Sequence, residues 1–151
     1  MKTRIIGIGS ILKGDDGIGI RVIDELKKHH LPDSIDLLAS DVSGMDLLKY
    51  CPDYDKIIVV DAADMGAEPG VVKLFKKQDF VKHDFAGVVS SHGMSLQDTF
   101  ALADKLSIKA DINVAAIQVK TVDFNLELSE ELKNRLPEIV EEIKAFIYYI
   151  R

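Results

Sequence analysis

Residues 56–61 read Lys56-Ile57-Ile58-Val59-Val60-Asp61, four β-branched residues in a row between two charges. A run with no polar alternation is the pattern of a strand buried on both faces, as at the centre of a parallel sheet. Upstream, RIIGIG at 4–9 repeats the pattern and stops at glycines, and IDLL at 35–38 suits a further strand. Between these two, Ile18, Val22, Ile23 and Leu26 recur at helical spacing from Gly17, with Pro32 as a stop. A short helix is expected over 44–50, ending near Pro52. Downstream, AADMGAEPG at 62–70 is a loop and VVKLFK at 71–76 a fourth strand. Nine residues are too few for a parallel crossover, which takes roughly a dozen or more. The third and fourth strands are therefore expected to run antiparallel and the sheet to be mixed. A charged linker over 77–91, a helix over 94–106 and a fifth strand over 112–119 follow. Ser129 can cap a helix whose first turn holds Glu130 and Glu131, and Pro137 is expected to split that segment, leaving 138–150 as the terminal helix. Strands alternating with helices define an α/β layered sandwich.

The chain has 151 residues, a length that predicts one domain, 1–151. Such a chain buries roughly 68–70% of its unfolded surface, enough for a real core. Nineteen basic residues against twenty-five acidic ones give a net charge of −6, which disfavours nucleic acid or an anionic membrane as partner. The N-terminal MKTRIIGIGS is too short and too rich in Gly for a leader or a membrane span. Cys51 is the only cysteine, so no internal disulfide can form, which suits a reducing, cytoplasmic compartment. It precedes Pro52 and reads as a packing residue.

Three segments carry candidate chemistry. GIGSILKGDDG at 7–17 is a glycine-rich turn between the first strand and the first helix, a place where phosphate is often held. Leu12 stands where a dinucleotide fingerprint needs glycine, and Asp15 and Asp16 stand where a P-loop has Lys and Ser or Thr. A phosphate there would meet two carboxylates. One of the two aspartates is expected to cap the first helix, which leaves the other at the carboxyl end of strand one, where open α/β sheets place their ligands. Asp61 ends the central strand, where a carboxylate is costly unless bonded, paired or coordinated. His92, in SSHGMS at 90–95, precedes the third helix, whereas His29, His30 and His83 lie in charged segments. If strands one and three are parallel, Asp16 and Asp61 meet at one rim, and the linker can return His92 to it. Two carboxylates and an imidazole with open positions suit Ni, Zn or Fe, and such a site is incomplete without ligands from outside. No GxSxG elbow is present, and Ser90 and Ser91 beside His92 make no triad. A nucleotide- or phosphate-binding α/β module is the alternative reading.

GIGSILKGDDGIGIRV at 7–22, IIVVDAADMGAEPG at 57–70, SSHGMSL at 90–96 and AAIQVKTVDFNLELS at 115–129 together resemble the hydrogenase maturation proteases, in family order and spacing. DAADMGAEPG is most like the branch serving formate hydrogenlyase-type, group 4 hydrogenases. The resemblance implies a three-layer sandwich with a mixed, mostly parallel five-stranded sheet between helices. It implies an endopeptidase that removes the C-terminal extension of a [NiFe] hydrogenase large-subunit precursor after nickel insertion. Asp16, Asp61 and His92 fall on the family's metal-binding acid, aspartate and histidine, with Asp16 and Asp61 the candidates for carboxylate catalysis. The resemblance implies that nickel arrives with the precursor, and the ion is expected to serve first for recognition, since the residues form no hydrolytic motif such as HExxH. No nucleotide is expected, and the chain is expected to act as a monomer. Many members carry an acid followed by Gly-Gly after strand two. Here the segment is Ala39-Ser40-Asp41-Val42-Ser43-Gly44, with Asp41 displaced by two positions, and Asp41, Ser43 and Gly44 are the candidates for holding the substrate tail.

Overall fold

A computed structural model describes residues 1–40, 45–82 and 95–149. Five strands form one sheet: β1 (Thr3–Ile8), β2 (Ile35–Ser40), β3 (Lys56–Ala63), β4 (Val72–Lys76) and β5 (Asp111–Gln118), in the spatial order β2-β1-β3-β5-β4. β1, β2, β3 and β5 are parallel, and β4 runs antiparallel on the edge beside β5. All eight residues of β3 are buried, as its unbroken β-branched run requires. Ile58, Val60 and Ala62 point into a core formed with α1 (Ile18–Leu26) and α5 (Glu130–Tyr149). Ile57, Val59 and Ala63 point to the opposite face, covered by α2 (Met45–Leu48), α3 (Lys77–Lys82) and α4 (Leu96–Lys105). On that face Phe80 of α3 stacks edge-on against both Phe75 and Phe100.

The mixed α/β sheet between helices agrees with the pattern reading, and three details differ. β4 does run opposite to β3, but the two do not pair, because β5 lies between them. The start of the expected linker is the short helix α3, docked by its buried Phe80. Pro137 does not split the last segment, and α5 runs unbroken from Glu130 to Tyr149. Pro137 sits on the exposed side of α5, where the carbonyl it leaves without a donor can be hydrated, and Leu132, Ile139, Val140, Ile143 and Ile147 lock the inner face on both sides of it.

Gly19 fixes how closely α1 approaches the sheet. A Cβ there would lie 2.3 Å from the Val60 carbonyl oxygen and 2.6 Å from that of Ile8, both of them backbone atoms that cannot swing away. Hydrogen alone at this position lets the first turn of α1 rest on the ends of β1 and β3. Gly19→Ala is expected to lower stability by about 1–3 kcal/mol through overpacking, read as a fall in the urea midpoint with an unchanged m-value.

Candidate functional site

Parallel pairing puts the carboxyl ends of β1, β3 and β5 on one edge, with Asp61 of β3 opposite Ala116 of β5. Gly9 follows β1 with φ +134°, and a Cβ there would lie 1.9 Å from the Asp16 carbonyl oxygen. The chain therefore folds back tightly into a single 3-10 turn, Gly14–Gly17, which packs against β3. This turn delivers Asp16 to the edge where Asp61 stands, near the carboxyl end of β3. Both carboxylates are buried.

Asp16 accepts a hydrogen bond from the Ser10 amide at 2.9 Å, which orients its side chain across the turn. Asp61 accepts one from the Ala62 amide at 2.8 Å. Burial pushes the Asp61 carboxyl well above the usual carboxylate range, the negative charge of Asp16 pushes it further, and the Ala62 N–H offsets part of the rise. Two like charges held together away from water form a site that a cation or a proton relieves.

The neighbouring Asp15 does something else. It does not cap α1, and neither does Asp16, since the N-cap position of α1 is Gly17 and carries no side-chain cap. Asp15 is fully buried and accepts four hydrogen bonds, from the amides of Lys120 (2.8 Å), Thr121 (3.2 Å) and Ser129 (2.7 Å) and from the Ser129 hydroxyl (2.8 Å). It ties the turn beside Asp16 to the segment after β5 and to the start of α5. The expectation that one aspartate caps the first helix is thus corrected: one aspartate staples two distant loops, and the other is left to the site.

The phosphate-cradle reading fails on its donors. The Lys13, Gly14, Asp15 and Asp16 amides donate to the carbonyls of Ser10, Asn125, Thr121 and Lys13, and the Ser10 amide serves Asp16. These N–H groups are taken by backbone carbonyls and by the Asp16 carboxylate.

Gln118 is a residue that pattern reading passed over. Its buried amide oxygen accepts from the Met65 (2.6 Å) and Ala67 (3.3 Å) amides, and its nitrogen donates to Asp64 Oδ1 and the Val119 carbonyl. It thereby shapes the loop that leaves Asp61. A polar residue ending the apolar run of β5 at the ligand edge was the available signal. Cys51 is buried, and burial raises its thiol to about 11, in keeping with a packing role.

Of the predicted site residues, the structure brings Asp16 and Asp61 together. His92, and the substrate-tail candidates Asp41, Ser43 and Gly44, lie outside the described residues. Among the described residues no group of three His, Cys, Asp or Glu side chains could hold a metal ion. The two carboxylates are hard, anionic donors that fit part of a divalent-cation shell and leave positions to be filled.

A mixed α/β sheet with helices on both faces defines an α/β protein of the open-sheet class, and its paired carboxylates stand at the carboxyl edge, where such sheets place their ligands. The family model described as HycI, hydrogenase maturation protease, matches residues 20–145. Hydrogenase expression/formation protein HupD of Bradyrhizobium diazoefficiens is 34% identical over 103 residues, covering 68% of this chain and 54% of HupD. Protein FrxA of Pyrococcus furiosus is 32% identical over 137 residues, covering 89% of this chain and 96% of FrxA. The chain thus spans about half of HupD and nearly all of FrxA. Hydrogenase maturating endopeptidase HybD from E. coli shares the fold, with a TM-score of 0.81 at 19% identity over 99% of this chain and 93% of HybD. The [NiFe] hydrogenase maturation protease HycI from Thermococcus kodakarensis gives a TM-score of 0.73 at 25% identity, over 94% of this chain and 89% of that one. The chain belongs to the hydrogenase maturation protease family. The family match begins after Asp16 and includes Asp61.

Proposed function

We propose that this chain is an endopeptidase that removes the C-terminal extension of a [NiFe] hydrogenase large-subunit precursor once nickel has been inserted. The observation that carries this reading is the convergence of Asp16 and Asp61, two buried carboxylates whose repulsion an incoming cation relieves. Nickel belongs to the substrate: the precursor brings the ion with its own ligands, and Asp16, Asp61 and His92 complete the shell. A precursor without nickel meets only mutual repulsion at this edge and is not held. Recognition of the ion then places the peptide bond beside it against the carboxylates.

The chemistry is hydrolysis. Water adds to the scissile carbonyl, a carboxylate at the edge accepts the proton, and the leaving amine takes a proton back as the C–N bond breaks. A carboxyl with a raised proton affinity, as Asp61 has, suits both halves of that exchange. Asp41, Ser43 and Gly44 are assigned to gripping the extended tail. DAADMGAEPG at 61–70 supports a large subunit of the formate hydrogenlyase type, and the single buried Cys51 suits work as a cytoplasmic monomer. Among the described residues no helix is long and apolar enough to cross a membrane.

The test is incubation with nickel-loaded and nickel-free precursor, followed by intact-mass measurement of the large subunit. Shortening of the loaded form alone is expected. Equal trimming of both forms, or of neither, would overturn the nickel-sensing reading.

A further inference from the structure

The loop leading into the turn that carries Asp16, together with the segment after β5, presents apolar side chains that the core does not use. Ile11 and Leu12 on this loop, and Val122, Phe124 and Leu126 on the segment after β5, are all exposed, with Phe124 80%, Leu126 60% and Leu12 50% open to solvent. Scattered single apolar residues on a surface need no explanation, but five on two adjoining loops do.

These loops are held together. The Asn125 amide donates to the Leu12 carbonyl at 3.0 Å, and the Gly14 amide donates to the Asn125 carbonyl at 2.8 Å. Lys13 and Asn125 form a β-bridge. Arg21 of α1 donates to the Leu126 carbonyl at 3.0 Å, and the Asp15 carboxylate clamps the Lys120 and Thr121 amides. The apolar side chains are therefore presented outward on a braced backbone, so little ordering entropy is lost when a partner covers them. The same brace reaches the site, because the Ser10 amide just before Ile11 holds the Asp16 carboxylate.

We propose that Ile11, Leu12, Val122, Phe124 and Leu126 form the docking surface for the folded body of the hydrogenase large-subunit precursor. The proposal rests on the function proposed above and adds its partner surface. The occupant follows from continuity: the surface borders the candidate site through one hydrogen-bonded loop pair, so a precursor that sets its peptide bond at Asp16 and Asp61 has its folded body beside these loops. The surface fits an apolar patch beside the precursor's C-terminal segment, with Phe124 as the aromatic anchor.

The test is steady-state processing of purified nickel-loaded precursor by the full chain carrying Phe124→Ser with Leu126→Ser, and separately by Leu12→Ser, read by mass. KM is expected to rise about tenfold or more for the double variant, with kcat at saturating precursor within about twofold and the thermal midpoint unchanged. The Leu12→Ser variant, from the other loop, should move KM in the same direction. An unchanged KM with an active wild-type chain overturns the docking surface. So does a fall in kcat at constant KM, and so does loss of self-association with processing intact, which would make the patch a contact between copies of this chain. A wild-type chain that trims no precursor at all removes the proposed function itself, and the docking surface with it.

Discussion

Asp61→Asn is expected to abolish precursor processing while making the metal-free chain more stable. The two effects have one cause. Asp61 is buried beside the charge of Asp16, and the Ala62 amide donates to it. Folding therefore raises its proton affinity above that of the unfolded chain, whose carboxylates titrate near 4. Above that pH the folded state holds more of this proton than the unfolded state, so the contribution of Asp61 to stability is full in acid and is lost as pH rises through its raised value. The amide of Asn carries no charge to desolvate, so the variant should melt higher near neutrality and lose that part of the pH slope. A gain of about 1 kcal/mol would appear as roughly 2–4 °C in a chain this size. Processing should drop about 10²–10⁴-fold, the range for loss of a positioned acid or base. Melting curves from pH 5 to 8 and intact-mass assays of processing check both arms. A variant that melts lower at pH 7, or that still trims the precursor, would show that Asp61 is a structural carboxylate.

Asp15→Asn is expected to act in the opposite sense, one residue away from the site acid. Asp15 is fully buried, and its two oxygens receive three amides and a hydroxyl. Asn keeps one oxygen and turns an NH₂ group toward donors that have nothing to give it. Hydrogen bonds to a charged group contribute about 1.5–3 kcal/mol each, and a buried donor left without an acceptor costs about as much again. A loss of at least about 3 kcal/mol is expected, near 10 °C of thermal midpoint for this length. The 120–129 segment should come loose first, and its amides should exchange faster than those of β3. If Asp15→Asn melts like the parent, the staple contributes little and the order of the two aspartates must be reassigned. Asp16→Asn, by contrast, should leave the fold intact.

Much of the architecture is written in residue patterns. The β-branched run Ile57–Val60 announced a strand covered on both faces, and all eight residues of β3 are buried. Ile18, Val22, Ile23 and Leu26 announced the inner stripe of α1, and they are buried. Such patterns are readable because burial on a helix or strand repeats with a fixed period. Pro137 misled, because a proline costs a helix one hydrogen bond, and packing of Leu132 and Ile139 on either side outweighs that when the proline faces water.

At the site, Asp16 and Asp61 could be placed at one edge from the sequence, since parallel strands end together. The division of labour between Asp15 and Asp16 could not. Its decisive partners, Lys120, Thr121 and Ser129, lie more than a hundred residues along the chain. A helix-start aspartate looks the same in sequence whether it meets its own helix or another loop.

The sequence by itself determined the alternation of strands and helices, the buried centre at β3 and the pair of acids at the carboxyl edge, because each follows from local periodicity and chain direction. Only the tertiary structure decided that β5 separates β3 from β4, that Gly19 seats α1 on the Val60 and Ile8 carbonyls, and that Asp15 is spent on the 120–129 segment while Asp16 faces Asp61. Those outcomes depend on which distant backbone groups come within hydrogen-bond or van der Waals reach, and that is settled when the layers pack.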